Sequence, residues 1–282
     1  MKHPDKWRDT IDPFKLPYKN FKLLEVLGYP HAGNDVFHAK GIYNKEELEV
    51  FIKVARQKGA DIENEINVIN LLNSNLAPQI IDFDLGETPF VVTIAKRGER
   101  LSTILGDNKG LESMGYLFEY GQVLAKMHSI TGEFKAVKDR RFFYVPEQNY
   151  FKENNLQFVY KYLTEKAPLE KNYCFCHGDF HYANVLWEDK HISAILDFEL
   201  AGIGNREFDI AWAIIRRPGQ SFLVSQEEID LFLKGYLSIG EYSLSNVKYY
   251  MVLIYSYFYE IGRNNSEYCD YVKAKFKELC KI

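Results

Sequence analysis

The apolar residues of this chain change their repeat near residue 97, and no fold built from one class of element accommodates both patterns. Ahead of the change, Leu48, Val50, Ile52 and Val54 alternate with Glu47, Glu49, Phe51 and Lys53, the period of a half-buried strand. Residues 22–27, 36–39, 79–85 and 90–95 read as further strands, and one helical stripe, Ile62, Ile66, Ile69 and Leu72, interrupts them. Past the change, Leu117, Gly121, Leu124 and His128 recur at helical spacing, and nearly everything from residue 225 onward is helical in pattern. The expected division is a strand-rich part over 1–97 and a helical part over 98–282.

With 282 residues, 46% of them hydrophobic, the chain can bury a sizeable core. Its 39 acidic and 35 basic side chains give a net charge of -4, so there is no global basic field to hold a nucleic acid. The first residues lack the apolar centre of a signal peptide, and no stretch approaches the roughly 18 uncharged apolar residues of a membrane span. The expectation is a cytoplasmic protein with neither a nucleic acid nor a membrane as partner. Cys174, Cys176, Cys269 and Cys280 form no pair of C-x-x-C halves. Cys174 and Cys176 lie near His177, Asp179 and His181, but without a distant partner ligand they read as small packing groups on a buried strand, not as a zinc site. No G-x-S-x-G supports a serine hydrolase. His128, on its apolar stripe, reads as a satisfied core or loop-supporting histidine.

The densest chemistry lies in CFCHGDFHYANVLW followed by ILDFE, where His177, Asp179 and Asn184 trail a short apolar strand and Asp197 stands thirteen residues beyond Asn184. Phosphoryl transfer needs a carboxylate to orient the acceptor hydroxyl, and an amide oxygen with a second carboxylate to hold metal ions on the phosphates. Asp179, Asn184 and Asp197 can fill those roles in that order. In the first part, Glu65 flanks the apolar stripe and Glu63 falls off it, so Glu65 is the carboxylate that can pair with Lys53. Gly28 and Gly33 have the spacing of a Walker A loop, but Asn34 and Asp35 follow where Lys and Ser or Thr are needed. Gly202–Gly204 lacks the third glycine of a dinucleotide fingerprint.

The ordered set HGDFHYAN, ILDFELAGIG and EFDIAWAI resembles the aminoglycoside phosphotransferase and choline kinase family. That resemblance implies an α+β, bilobed protein-kinase-like fold, with a small, mostly antiparallel β lobe carrying one helix and a larger helical lobe. It makes Asp179 the catalytic base, Asn184 and Asp197 the ligands of two Mg2+ ions, and Asp209 a carboxylate that braces the catalytic loop as well as capping its helix. His177 supports the same loop. On the nucleotide side, ATP or GTP would meet Lys53, Glu65, a phosphate-covering loop with Gly33 and Asn34, and a hinge over Ile94–Lys96 whose backbone reads the base. Gly33 would allow close approach to phosphate, and Asn34 would tolerate unusual dihedrals. Ala95 stands where the family often has an acidic residue, which leaves ATP and GTP both open.

The acceptor expected first is an aminoglycoside-type compound, with antibiotic resistance as the implied role. Glu227, Glu228, Asp230, Glu241, Glu260, Glu267 and Asp270 on the late helices suit such a polycation. Tyr249, Tyr250, Tyr255, Tyr257 and Tyr259 would suit a choline or ethanolamine ammonium group through cation–π attraction, unless they form the helix core. The Asn205–Arg206 pair also has a choline-kinase flavour. A kinase-like module that binds nucleotide without turnover is the non-enzymatic reading, but it would be expected to lack one of Lys53, Asp179, Asn184 or Asp197, and all four are present.

Overall fold

The computed structural model describes residues 11–30, 33–106 and 110–281, with the backbone alone for Gly110 and Leu111. The architecture is mixed α+β, with a mostly antiparallel sheet and a helical part, and the chain divides into two compact units. The first comprises the residues up to Gly98 together with Ser193–Leu200, so the loop carrying Asp197 packs with the strands.

In the first unit, β1 (Phe21–Gly28), β2 (Asp35–Tyr43), β3 (Glu46–Val54), β4 (Ile80–Asp84) and β5 (Phe90–Ile94) form an antiparallel sheet in the order β1-β2-β3-β5-β4. The alternation of β3 is realised: Val50, Ile52 and Val54 are fully buried with Phe37, Ala39 and Phe90, and Lys53 points to the other face, opposite Val36 and Val91. The long helix among the described residues of this unit, α1 (Ile62–Leu72), starts where the Asp61 side chain accepts from the Asn64 N–H. It ends at Asn73 in a left-handed conformation. Ile62 and Ile66 pack on Val91, which turns Glu65 inward and leaves Glu63 exposed. The late segment is sewn in by the Ile195 N–H on the Leu76 carbonyl and the Ser193 hydroxyl on the Arg97 carbonyl.

The second unit opens with β6 (Glu99–Arg100), α2 (Leu101–Leu105) and α3 (Gly110–His128), and continues through α4 (Gln148–Glu153) and α5 (Gln157–Glu165) to β7 (Tyr173–Cys176). β8 (Val185–Glu188) pairs with β6, while β9 (His191–Ile195) carries the chain into the segment that joins the first unit. The chain returns as β10 (Gly202–Asn205), antiparallel to β7, and then α6 (Arg206–Ile214), α7 (Gln226–Leu237), α8 (Leu244–Ile261) and α9 (Ser266–Leu279).

α3 and α7 approach at backbone distance: a Cβ on Gly121 would overlap the Phe232 carbonyl, and one on Gly235 the Phe118 carbonyl. Two expectations change on this side. Glu228 is not a substrate-facing acid, because its carboxylate closes the capping box of Ser225 and also accepts from Leu223 N–H, Val224 N–H and the Ser113 hydroxyl. The α8 tyrosines are mainly core, since Tyr249, Tyr250, Tyr255 and Tyr259 are buried and Tyr257 is half-buried. No helix among the described residues is long and apolar enough to cross a membrane.

Candidate functional site

In the first unit, Lys53 is the centre of a cluster of charged groups. Its ammonium lies 2.7 Å from Glu65, 2.6 Å from Asp197 and 2.8 Å from Glu199. Burial alone would lower its pKa, but the three carboxylates outweigh burial and hold it well above the ordinary lysine value. Glu65 is pushed up, first by its burial and then by Asp197 and Glu199, with Lys53 pulling the other way. One cation among three acids leaves a surplus of negative charge that a further cation would neutralise. The oxygens of Glu65, Asp197 and Glu199 lie within 4.8 Å of one another, a hard donor set that fits Mg2+. Asp197 has φ 67°, a left-handed conformation that costs a non-glycine residue about 1 kcal/mol or more and is found where function fixes a side chain.

Glu199 was missed by the sequence reading, although it stands in the same ILDFE run. It also takes the Asn34 amide at 2.8 Å and the Gln57 amide at 3.2 Å, while its backbone carbonyl accepts from Asn64. Asn34 therefore acts through its side chain, whose oxygen also accepts from the Arg56 N–H, and not through an unusual dihedral. The positive φ belongs to Gly33, at 129°, where a Cβ would press on the Gln57 amide. His31 and Ala32 of the same loop lie outside the described residues.

At the expected hinge, the Ile94 N–H is spent on the Gln79 carbonyl and the Ala95 N–H on the Glu49 carbonyl, which removes both donors from base recognition. The Lys96 ammonium is held by the Asn75 carbonyl at 2.6 Å.

In the second unit, Asp179 follows β7 on a loop that Asp209 braces. The Asp209 carboxylate accepts from the His177 N–H at 2.9 Å and the Gly178 N–H at 3.1 Å, and meets His128 Nε2 at 3.2 Å. It is not the cap of α6: that is Asn205, which accepts from the Phe208 N–H. His177 is fully buried, and its Nδ1 accepts from the Asp179 N–H. Asn184 donates its amide to the Asp179 carbonyl at 3.0 Å, which turns the amide oxygen the other way.

The surroundings of Asp179 were not legible in its motif. Trp212 Nε1 donates to its carboxylate at 2.7 Å, with His181 at 3.6 Å and Arg140 at 3.9 Å. Burial raises the Asp179 pKa, but His181, Arg140 and Arg217 together carry it far below the usual carboxylate range. Arg140 lies over the Trp212 ring at 4.7 Å, Arg217 at 5.1 Å and Arg141 over Phe142 at 5.2 Å, so these ring faces already carry guanidinium groups. Two surface cavities of this unit, one between α5 and the start of α8 and the other between α4 and the end of α8, are lined by none of these residues.

Behind the loop, the Cys174 and Cys176 thiols stand 3.7 Å apart on one face of β7, with His128 beside them. The hydrogen bond from Cys176 pulls the Cys174 thiol down to about 7 against burial, with help from His128 and Arg206.

A sequence model described as the Phosphotransferase enzyme family matches residues 33–242. Comparison with curated protein sequences returned no significant match. Among solved structures, the chain is similar in fold to an amicoumacin kinase in complex with AMP-PNP, Ca2+ and Ami, at 14% identity and TM-score 0.58 over 92% of this chain and 90% of that one. It is also similar to the choline kinase of Streptococcus pneumoniae, at 15% identity and TM-score 0.57 over 94% and 92%. A spectinomycin phosphotransferase with ADP and spectinomycin gives 18% identity and TM-score 0.55 over 93% and 89%.

Proposed function

The chain belongs to the phosphotransferase enzyme family, and on that premise we propose that it is a small-molecule kinase that moves the γ-phosphate of ATP or GTP to a hydroxyl of an amine-bearing, aminoglycoside-type acceptor. The observation that carries this reading is the largely buried Lys53 ammonium gripped by Glu65, Asp197 and Glu199. Such a held cation suits the α- and β-phosphates of a nucleotide. Asp197 and Asn184 would hold magnesium, supported for Asp197 by the hard oxygen set around it; when bound, the metal neutralises charge on the phosphates.

Asp179 orients the acceptor hydroxyl through a hydrogen bond to its carboxylate. A carboxylate held so low is a poor base toward a free alcohol, so the proton transfers only as the oxygen–phosphorus bond forms. The hydroxyl oxygen then gains the phosphoryl group, its proton passes to Asp179, and the nucleoside diphosphate leaves with the bonding electron pair. Arg140 and Arg217, close enough to shift Asp179 electrostatically, add positive charge where phosphoryl oxygens gather.

The exposed acids of the late helices, with Glu228 set aside, support an amine-bearing acceptor. Choline- or ethanolamine-type acceptors rank second, because the aromatic faces beside Asp179 are already covered by Arg140, Arg141 and Arg217. The Asn205–Arg206 pair that suggested them serves the fold: Asn205 caps α6, and Arg206 donates to the Glu241 carbonyl. The test is phosphate transfer from ATP and GTP with Mg2+ across aminoglycosides, choline and ethanolamine. Turnover of an aminoglycoside that Asp197→Ala abolishes is expected. Normal turnover in that variant sinks the metal assignment, preference for choline reverses the acceptor ranking, and nucleotide binding with no transfer to any acceptor favours a binding module.

A further inference from the structure

We propose that Cys174, Cys176 and His128 form a binding site for a thiophilic divalent cation of the Zn2+ class, separate from the magnesium-binding residues. The two thiols sit at i and i+2 on β7, which puts them on one face, and their sulfurs are 3.7 Å apart. A tetrahedral zinc ion with Zn–S bonds of about 2.3 Å holds its two sulfurs about 3.8 Å apart. The residues opposite them on β10 are Gly204 and Gly202, so that strand sets no side chain over the sulfurs. Cys174 is half-buried, and Cys176 and His128 are buried.

The third ligand arrives from α3, some fifty residues upstream. A ligating nitrogen of His128 and both sulfurs lie within 4.8 Å of one another, and a tetrahedral site needs nitrogen and sulfur about 3.6 Å apart. The shift needed to reach that spacing is about 1 Å at most.

The tautomer that suits the metal is set by its neighbours. Asp209 Oδ2 accepts the His177 N–H and is 3.2 Å from His128 Nε2, so the carboxylate takes a proton there and Nε2 is the protonated nitrogen. The Nδ1 lone pair then faces the Tyr236 hydroxyl at 2.7 Å. Coordination exchanges that hydroxyl for the ion and keeps the Nε2–H bond to Asp209, the carboxylate–histidine–metal arrangement that orients a ligating imidazole. Two protons are released, one from each thiol, and the fourth position is left to water.

The test uses the whole protein without nucleotide, reduced and then freed of reductant and chelator. Co2+ serves as the spectroscopic probe and Zn2+ as its competitor. One equivalent of Co2+ is expected to give a near-ultraviolet thiolate-to-metal band, which carboxylate sites cannot produce, and one equivalent of Zn2+ is expected to abolish it. Zn2+ should also shield two of the four thiols from a thiol reagent. Cys174→Ser and Cys176→Ser should each cut the band at least by half and weaken Zn2+ binding at least tenfold, with His128→Gln weakening binding while keeping the full thiolate band. Absence of the band from the wild type, or its persistence at full strength in Cys174→Ser, overturns the site. The readout does not depend on which acceptor the protein phosphorylates.

Discussion

Asp179 and Cys174 are opposite cases of a titratable group tuned by its neighbours. Asp179 is held far below the usual carboxylate range by His181, Arg140 and Arg217 acting against burial. An acid with a depressed folded pKa stabilises the protein above its unfolded value near 3.9, and that stability is lost as pH falls. Asp179→Asn should therefore cost about 1.5–3 kcal/mol at pH 7, the scale of a hydrogen bond to a charged group. The gap to wild type should narrow from pH 5 downward. Denaturant titrations of both proteins check this, and a gap that stays constant to pH 2 contradicts it.

Cys174, pulled down to about 7 by Cys176 with His128 and Arg206 nearby, should react with iodoacetamide half-maximally near pH 7 in metal-free protein. Cys280, pushed up by burial to about 12, should stay unmodified through pH 9. Peptide mass spectrometry resolves the two, and equal rates would refute the assignment.

Among elements, the glycines between α3 and α7 carry the sharpest expectation. Gly121 and Gly235 are where each helix meets the other's backbone, so a single methyl has no space without moving a helix. Gly235→Ala should lower stability by about 1–3 kcal/mol, the usual cost of overpacking, despite alanine's better helix propensity. Gly115→Ala, where a Cβ meets nothing within 4 Å, is the matched control and should be neutral or stabilising. Thermal melts decide it.

Elements were also where the sequence spoke most clearly. The alternation of β3 and the stripe of α1 placed Lys53 and Glu65 on facing surfaces because both patterns are local. Asp179, Asn184 and Asp197 could be named because they lie in contiguous runs. Trp212, Arg140 and His128 could not, since each reaches its partner from a distant element and a spacing rule sees only near neighbours. The Cys174–Cys176 pair has no distant ligand within its own motif, and α3 brings His128 to it.

For the whole molecule, ligand linkage is the check. A nucleotide that binds only the folded state at a hundred times its Kd adds about 2.7 kcal/mol. ATP with Mg2+ should therefore raise the melting temperature of the wild type by several degrees. Lys53→Met should show almost none of that shift. An equal shift in both proteins would place the nucleotide away from Lys53.

The grouping of Ser193–Leu200 with the first ninety-eight residues also bears on biosynthesis. Lys53 and Glu65 are translated early, but Asp197 and Glu199 emerge well over a hundred residues later. Until then the nascent strand-rich unit carries a lysine lacking two of its three counter-ions and an Asn34 side chain without its Glu199 acceptor. Contacts so distant in sequence are slow to close. Assembly of the cluster around Lys53 is therefore a late event in synthesis, timed by the ribosome's passage beyond residue 200.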